Sequence, residues 1–262
     1  MEKPIHILVT NDDGINAPGL LALAQAMRAL GKVTVVAPDH NWSAGGHVKT
    51  MHRPIRVRET ELADGSKAYH SDGAPSDCVA VALLGFIKQK VDLVVSGINP
   101  NANIGSDVTY SGTVTAAMEG AIACLPSIAV SQDSPEYYEG KLDFSTSARV
   151  ACEVAEKVME KGMPEGTLIN LNVPYLPYES LKGYCITRQG IRLYHDVLVR
   201  RKDPRGKPYY WIGGPAPTGV PEKDTDYGAI KSGYVSITPL KLDLTAEPAI
   251  RTLKSWKFKL KE

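Results

Sequence analysis

The sequence has few of the features that mark secreted, membrane or metal-thiolate proteins. Its four cysteines are scattered, with no Cys-x-x-Cys pair, so neither a disulfide framework nor a cysteine-based zinc site is expected. It has no apolar run of about eighteen residues, and we therefore expect no transmembrane helix. The apolar stretch near the N-terminus is short and ends in acidic residues, unlike a signal peptide. Together these absences predict a cytoplasmic protein without a membrane partner.

The sequence also has almost no net charge, because 30 Lys and Arg residues face 29 Asp and Glu residues. This balance argues against a broad basic face, so no nucleic acid is expected as a stable partner. A small anion can still bind a local positive site. The Gly-x-Gly-x-x-Gly fingerprint, the Walker A loop and the His-Glu-x-x-His pattern are absent. These absences argue against a dehydrogenase, a P-loop enzyme and a metalloprotease of the usual kinds.

From residue 5 to residue 174, apolar strand-like runs alternate with segments of helical periodicity. The predicted strands span 5–10, 32–38, 91–97, 126–132 and 166–174, and the predicted helices span 18–30, 74–90, 112–124 and 144–162. Alternation of this kind predicts an α/β fold with a doubly wound, mostly parallel sheet and helices on both faces. Ligands of such sheets bind beyond the carboxyl ends of the strands.

Two regions depart from this alternation. Residues 47–71 predict a β-hairpin excursion that turns at Asp64-Gly65. After residue 174, we predict an extension over 175–262 with a second β-hairpin around Pro204-Arg205-Gly206 and a late strand at 233–240. The division is therefore a catalytic core at 1–174 and an oligomerisation extension at 175–262. Tyr and Trp beside Arg at 200–211 are typical of an interface.

Asp12 and Asp13 are adjacent carboxylates that directly follow the first predicted strand. Asn11 and Gly14 flank them and permit a turn, which would let both carboxylates face one ligand. Two close carboxylates repel each other, and a divalent cation relieves that repulsion. Mg²⁺ and Mn²⁺ prefer oxygen ligands of this kind. A solvated acidic turn is the alternative interpretation.

The loops after the neighbouring strands add neutral oxygen donors and a candidate anion site. Ser43 follows the second strand, while Asn99 and Asn103 follow the third. Ser111-Gly112-Thr113 opens a helix whose N–H groups and hydroxyls suit a phosphate, although Ser111 could equally be an ordinary N-cap. Glu119 and the histidines are more typical of structural roles.

Six segments, taken in order, resemble the survival protein SurE family of nucleotidases and acid phosphatases. They are ILVTNDDGINAPG (7–19), VVAPDHNWSAGGH (35–47), SDGAPSDCV (71–79), VDLVVSGIN (91–99), YSGTVTAAMEGA (110–121) and DTDYGAIKSGYVSITPL (224–240). The resemblance implies a Rossmann-like core and a metal-dependent phosphomonoesterase that acts on nucleoside 5′- and 3′-monophosphates. It also implies a homodimer or homotetramer that exchanges its C-terminal hairpin.

The resemblance implies a specific division of roles among the site residues. One Mg²⁺ or Mn²⁺ ion per subunit would be held by Asp12, Asp13, Ser43 and Asn99. Asn103 and Ser111 would act at the substrate phosphate and, with both aspartates, in catalysis. Asn101 stands where the family commonly has glycine, so this loop is where substrate preference can differ.

The residues leave the reaction itself open. The attacking group could be a water activated by the cation, or an aspartate, Asp13 rather than Asp12, could act as general base or nucleophile. The same Asp-Asp site could also belong to a non-hydrolytic nucleotide-binding module or to a sugar-nucleotide-dependent transferase.

Overall fold

The computed structural model describes residues 5–260. Its strands, in chain order, are β1 (Ile5–Thr10), β2 (Gly31–Pro38), β3 (Val57–Glu61), β4 (Lys67–Ser71), β5 (Leu93–Asn99), β6 (Ser127–Asp133), β7 (Thr167–Pro174), β8 (Tyr184–Ile186), β9 (Arg192–Leu193), β10 (Val197–Lys202), β11 (Pro208–Gly213), β12 (Thr218–Gly219) and β13 (Val235–Lys241). Its α-helices are α1 (Pro18–Met27), α2 (Pro75–Val81), α3 (Gly112–Ile122), α4 (Ser145–Lys161), α5 (Asp226–Lys231) and α6 (Glu247–Ser255).

Nine strands form one sheet in the order β3-β4-β2-β1-β5-β6-β7-β13-β8. The pairs from β4 to β7 are parallel, whereas β3 and β13 run antiparallel to β4 and β7. Because parallel strands need crossover connections, helices cover both faces of this sheet. The structure confirms the predicted α/β, mostly parallel fold.

Alternate residues of β1 face two separate hydrophobic layers, as the period of a strand requires. Ile7 and Val9 are fully buried among residues of α1 and α4. Leu8 is fully buried on the opposite face, where it belongs to the cluster that includes Cys78 of α2 and Ala116 of α3. Burial on both faces explains why the strand sequence is continuously apolar. It also fixes the position of the loop that follows β1.

The predicted helices are present, but all four end earlier than the sequence pattern indicates, α1 and α2 by three or more residues. Helix α1 ends at Met27 because the N–H groups of Ala29 and Leu30 bond three residues back in a tighter turn. Helix α2 gives way after Val81 to a wider turn that ends near Gly85, whose φ of 128° lies outside the helical region. The prediction of one helix over 74–90 was therefore wrong at its C-terminal end.

Both predicted hairpins form, but they have different surroundings. Strands β3 and β4 pair around Asp64-Gly65, and β4 extends the main sheet beside β2. Strands β10 and β11 form a separate two-stranded sheet in which Leu198 and Ile212 are paired and mostly exposed. The late strand β13 lies inside the main sheet, where it joins β7 to β8. The division at residue 174 remains a prediction.

Within residues 5–260, we find no helix that combines the length and the apolar character needed to cross a membrane.

Gly120 allows α3 to pack closely on the sheet. A Cβ atom at this position would lie 2.8 Å from Val94 Cγ2 and closer still to the Ser127 hydroxyl. Gly120→Ala should therefore lower the free energy of unfolding by about 1–3 kcal/mol through overpacking, although alanine favours a helix interior by about 1 kcal/mol. Denaturant unfolding measures this change.

Gly213→Ala is the matched control, because a Cβ there would meet only Val199 Cγ2, at 3.9 Å. Its free energy of unfolding should stay within about 0.5 kcal/mol of the parent value. A Gly120→Ala variant as stable as the parent would contradict the close packing of α3.

Candidate functional site

The predicted ligand loops meet because β1 lies between β2 and β5 in the sheet and runs parallel to both. The carboxyl ends of parallel strands share one edge of a sheet. Asp12 and Asp13 follow β1, Ser43 follows β2, and Asn99 is the last residue of β5. The topology therefore brings these three segments to adjacent positions at one edge.

The chain turns sharply as it leaves β1, and Asn11 stabilises the turn. The buried Asn11 carboxamide donates to Gly14 O at 3.0 Å and accepts from Gly14 N at 3.2 Å. This local bonding is typical of asparagine in turns. Because the turn breaks the strand alternation, Asp12 and Asp13 need not face opposite sides of the sheet, and their charges are close enough to repel each other. Asp12 is only 3% exposed, whereas Asp13 is half-buried.

The Asp12 carboxylate is held by the first turn of α3. The Thr113 hydroxyl donates to Asp12 Oδ1. Burial raises the pKa of Asp12, whereas the hydrogen bonds from Thr113 and from the backbone at Gly112 oppose that increase. A helix N-terminus favours a negative charge, so α3 stabilises the ionised form of this buried group.

The Asp13 carboxyl is less well satisfied. Burial, together with repulsion from Asp12, raises the pKa of Asp13 to about 7, and a hydrogen bond from Asn41 only partly offsets these effects. Asn41 Nδ2 lies 3.3 Å from Asp13 Oδ1. Asp13 Oδ2 is buried and has no hydrogen-bond partner among the described residues.

An unsatisfied carboxylate oxygen beside a second carboxylate fits a hard divalent cation. Over residues 5–260, no three His, Cys, Asp or Glu side chains cluster as a metal-binding group. A cation at this edge would therefore depend on two carboxylates and on neutral oxygens from the neighbouring loops. This donor set suits Mg²⁺ or Mn²⁺ rather than Zn²⁺.

The loop after β2 is tied directly to the turn after β1. Trp42 N donates to Asp12 O at 2.8 Å, and Ser43 N donates to Asn41 Oδ1 at 2.7 Å. Asn41 thus connects Ser43 to Asp13, and Ser43 itself is exposed. The amide nitrogen of Asn41, rather than its oxygen, faces Asp13.

Glu119 of α3 binds the loop after β2 through two of its residues. His47 Nε2 lies 2.7 Å from Glu119 Oε1, and Lys49 Nζ lies 3.1 Å from Glu119 Oε2. Burial alone would raise the pKa of this carboxyl, but the hydrogen bonds from both partners hold it below its ordinary value. The structural roles predicted for Glu119 and His47 are thus consistent with their contacts, and both contacts hold the loop that carries Ser43.

Two asparagines of interest lie at the end of β5 and in the loop that follows it, Asn99 half-buried and Asn103 buried. The side-chain nitrogen of Asn99 donates to the carbonyl of Asn101, so the side-chain oxygen of Asn99 takes no part in this hydrogen bond. Asn103 is buried, and its Nδ2 donates to Ser131 Oγ at 2.8 Å. Asn101 does not adopt a positive φ. Asparagine in place of the family glycine therefore causes no backbone strain in this loop.

The residues predicted to bind phosphate already have protein partners. Ser111 is the N-cap of α3 and accepts from Val114 N at 3.1 Å, as the alternative interpretation expected. Gly112 and Thr113 lie against Asp12, as described above. The phosphate roles of Asn103, Ser111, Gly112 and Thr113 remain predictions, since a hydroxyl can bond more than one group.

Sequence reasoning missed Asp226, a fully buried carboxylate at the start of α5. Asp226 Oδ2 accepts from Gly105 N at 2.8 Å, and Oδ1 accepts from Gly190 N at 2.8 Å. It therefore ties the C-terminal segment to the loop that follows β5. The family-like segment DTDYG was the available signal, but nothing local indicated a partner 121 residues away.

The chain matches known proteins over most of its length. The model of the family described as survival protein SurE matches residues 7–196. A protein from Herpetosiphon aurantiacus named 5′-nucleotidase SurE is 52% identical over 241 residues, which cover 92% of this chain and 94% of the relative. A protein of the same name from Chloroflexus aggregans is 48% identical and covers 97% of this chain and 100% of the relative.

A solved structure supports the same relationship at the level of the fold. The crystal structure of the SurE protein from Aquifex aeolicus superposes with a TM-score of 0.81 at 42% sequence identity. The match covers 97% of this chain and 100% of that chain. The sheet and its C-terminal extension thus have a counterpart in an experimental structure.

The raised pKa of Asp13 predicts how stability depends on pH when EDTA removes metal. Between its ordinary pKa of 3.8 and its native pKa of about 7, Asp13 keeps its proton when folded and loses it when unfolded. Its contribution to the free energy of unfolding therefore falls as pH rises, by up to about 1.4 kcal/mol per pH unit. Asp13→Asn should be more stable than the parent at about pH 8, and this difference should shrink towards about pH 4.

Thermal unfolding at several pH values in EDTA measures this difference. Asp196→Asn is the control, because Asp196 is exposed and belongs to no ion pair among the described residues. A gain in stability for Asp13→Asn that is the same at every pH would be inconsistent with a titrating Asp13.

Proposed function

The chain belongs to the survival protein SurE family, and we propose that it is a metal-dependent phosphatase of nucleoside 5′-monophosphates and their 3′ isomers. The observation that carries this proposal is the adjacent pair of carboxylates beside the N-terminus of α3, Asp12 buried and Asp13 half-buried with an unpartnered oxygen. The relatives named 5′-nucleotidase agree with it. The products are a nucleoside and inorganic phosphate.

The alternatives that the sequence left open receive no support from these comparisons. The relatives described above carry the name of a hydrolase, and neither a binding module nor a sugar-nucleotide transferase is among them. A nucleotidase is therefore the function that the chain supports best.

One Mg²⁺ or Mn²⁺ ion would be held by Asp12, Asp13, Ser43 and Asn99, which come from three adjacent loop segments. When bound, such a cation supplies charge neutralisation for phosphate and lowers the pKa of water. The hydrogen bonds from Thr113 to Asp12 and from Asn41 to Asp13 orient the two carboxylates. Helix α3 thus supports the metal end of the site through Asp12.

The other residues bind phosphate and move protons. The hydroxyl of Ser111 and the first N–H groups of α3 hold phosphate oxygens, and Asn103 bonds a further oxygen. Asp13 accepts a proton from the attacking water through the carboxylate oxygen that the cation would leave unbound. Water attacks phosphorus and the bond between phosphorus and the ester oxygen breaks. That oxygen takes up a proton from solvent and leaves as the nucleoside hydroxyl, and Asp13 returns to solvent the proton that it accepted.

The exposed hairpin of β10 and β11 supports a homo-oligomer, either dimer or tetramer. Leu198, Trp211 and Ile212 are each more than 60% exposed. An isolated two-stranded hairpin is marginally stable in water, so contact with another copy would explain its apolar surface. A cytoplasmic location is supported by the four cysteines, all of which are free.

Replacement of either central carboxylate tests the proposed function. Asp12→Asn and Asp13→Asn should each lower the rate of AMP hydrolysis by at least about 100-fold, while thermal unfolding stays cooperative. EDTA should abolish release of phosphate by the parent, and added Mg²⁺ or Mn²⁺ should restore it. Asp196→Asn, an exposed carboxylate-to-amide change, should retain the parent rate.

Release of phosphate is measured with AMP and with p-nitrophenyl phosphate. Near-parental turnover by either aspartate variant would remove the role assigned to that residue. A parent protein that binds AMP but releases no phosphate would instead identify a binding module.

Charges on the hairpin should disrupt the oligomer. Leu198→Glu combined with Ile212→Glu places two like charges at paired positions of β10 and β11, and burial of these charges against another copy would be unfavourable. Light scattering should show a smaller mass for this variant than for the parent. Met51→Glu, at a residue that is 85% exposed, is the control and should keep the parental mass. A monomeric parent would contradict the assembly.

A further inference from the structure

A cleft of about 560 Å³ lies beside the candidate site. One wall consists of residues at the carboxyl ends of β5, β6 and β7, including Asn101 and Asp133. The opposite wall comes from the C-terminal segment, including Arg192, Tyr227 and Lys231. The cleft therefore lies between the core sheet and the extension.

The cleft continues directly from the loop that ends β5. Asn101 lines the cleft and is two residues beyond Asn99, so their Cα atoms are at most about 7.6 Å apart. The Asn99 carboxamide also donates to the carbonyl of Asn101. A substrate whose phosphate lies near Asn99 therefore has the cleft within reach of its remaining atoms.

Both cations that line the cleft are neutralised within the protein, whereas the exposed Glu136 adds a negative charge with no ion-pair partner among residues 5–260. Arg192 Nε lies 2.7 Å from Asp107 Oδ2, and Lys231 Nζ lies 3.3 Å from Asp133 Oδ2. A second phosphate or another polyanion would require unpaired cations. The cleft thus suits an uncharged polar group better than an anion.

Tyr227 offers a supported aromatic surface to that group. A Cβ at Gly219 would lie 2.8–2.9 Å from atoms of the Tyr227 ring, so the backbone of β12 packs directly against the ring. Lys231 Nζ lies 5.4 Å from the ring centroid and is itself bonded to Asp133. A tyrosine ring held in this way can stack on a nucleobase.

Asn101 adds a polar contact near the entrance of the cleft. Its side chain is exposed, and its carboxamide makes no hydrogen bond to any residue between 5 and 260. It therefore has both a free donor and a free acceptor. Its position two residues beyond Asn99 places it close to the phosphate end of a substrate.

We propose that this cleft binds the nucleoside half of the substrate, with the base stacked on Tyr227 and the ribose hydroxyls bonded to the Asn101 carboxamide. This inference rests on the proposed nucleotidase function and assigns its specificity to residues outside the metal site. The uncharged nucleoside matches a cleft that offers no unpaired cation, whereas the phosphate remains with the carboxylates and α3.

The test compares AMP with ribose 5-phosphate, which has the same phosphate and sugar but no base. For Tyr227→Ala, kcat/KM for AMP should fall by about tenfold or more, mainly through KM, since stacking of one base contributes about 1–3 kcal/mol. Hydrolysis of ribose 5-phosphate should change by less than about twofold, because that substrate makes no stacking contact. Tyr227→Phe should retain most of the parental value for AMP.

The role of Asn101 is measured by comparing AMP with 2′-deoxy-AMP. Tyr137→Ala is the matched control for Tyr227→Ala. Asn101→Gly should reduce the preference for AMP over 2′-deoxy-AMP, because it removes the bond to the ribose. Tyr137→Ala truncates a tyrosine that is 94% exposed and does not line the cleft, and it should leave both substrates unaffected.

Each outcome separates this inference from the function on which it rests. An equal loss on AMP and ribose 5-phosphate for Tyr227→Ala, or no loss on either, would overturn the cleft assignment while the nucleotidase function stands. A parent protein with equal kcat/KM values for ribose 5-phosphate and AMP would also overturn the cleft assignment. A parent that releases phosphate from neither substrate would overturn both proposals.

Discussion

Two adjacent carboxylates that share a water-poor edge of the sheet are the constraint on which this site depends. Asp12 is almost fully buried, and its charge helps to raise the pKa of Asp13 to about 7. Such an arrangement is unfavourable unless the surroundings offset it. Helix α3 does so for Asp12, through a hydroxyl and its first backbone groups. Asp13 keeps an unsatisfied oxygen, and this remaining imbalance is what a divalent cation would relieve.

The loops around these carboxylates are fixed by other buried charges. Glu119 binds His47 and Lys49, and so anchors the segment that carries Ser43. Asp226 accepts from Gly105 and thereby anchors the loop that carries Asn99 and Asn103. Removal of one partner from such a buried contact destabilises the protein, because the other partner is left without a hydrogen bond. The loops that carry the neutral donors are thus held in place by buried charged residues.

In the proposed function, the site and the adjacent cleft would divide the substrate by charge. Carboxylates and α3 suit a phosphate with its cation, whereas the cleft has an aromatic ring and no unpaired cation. A nucleoside monophosphate has the same division, with a dianion at one end and an uncharged aromatic base at the other. Because the C-terminal segment supplies Tyr227 to the cleft and Asp226 to the loop after β5, the extension would take part in binding this substrate.

The sequence by itself determined the alternation of strands and helices, because burial on both faces makes each strand continuously apolar. It also determined that Asp12, Asp13, Ser43 and Asn99 share one edge, because parallel strands present their carboxyl ends together. Only the tertiary structure decided that α2 ends before Gly85, that α3 binds Asp12, and that Asp226 pairs with Gly105. The physical reason is the separation of the interacting residues along the chain. Periodicity reports the burial of neighbouring residues, whereas a buried carboxylate bonds to whichever donor the fold brings close. Here those donors are 101 and 121 residues away.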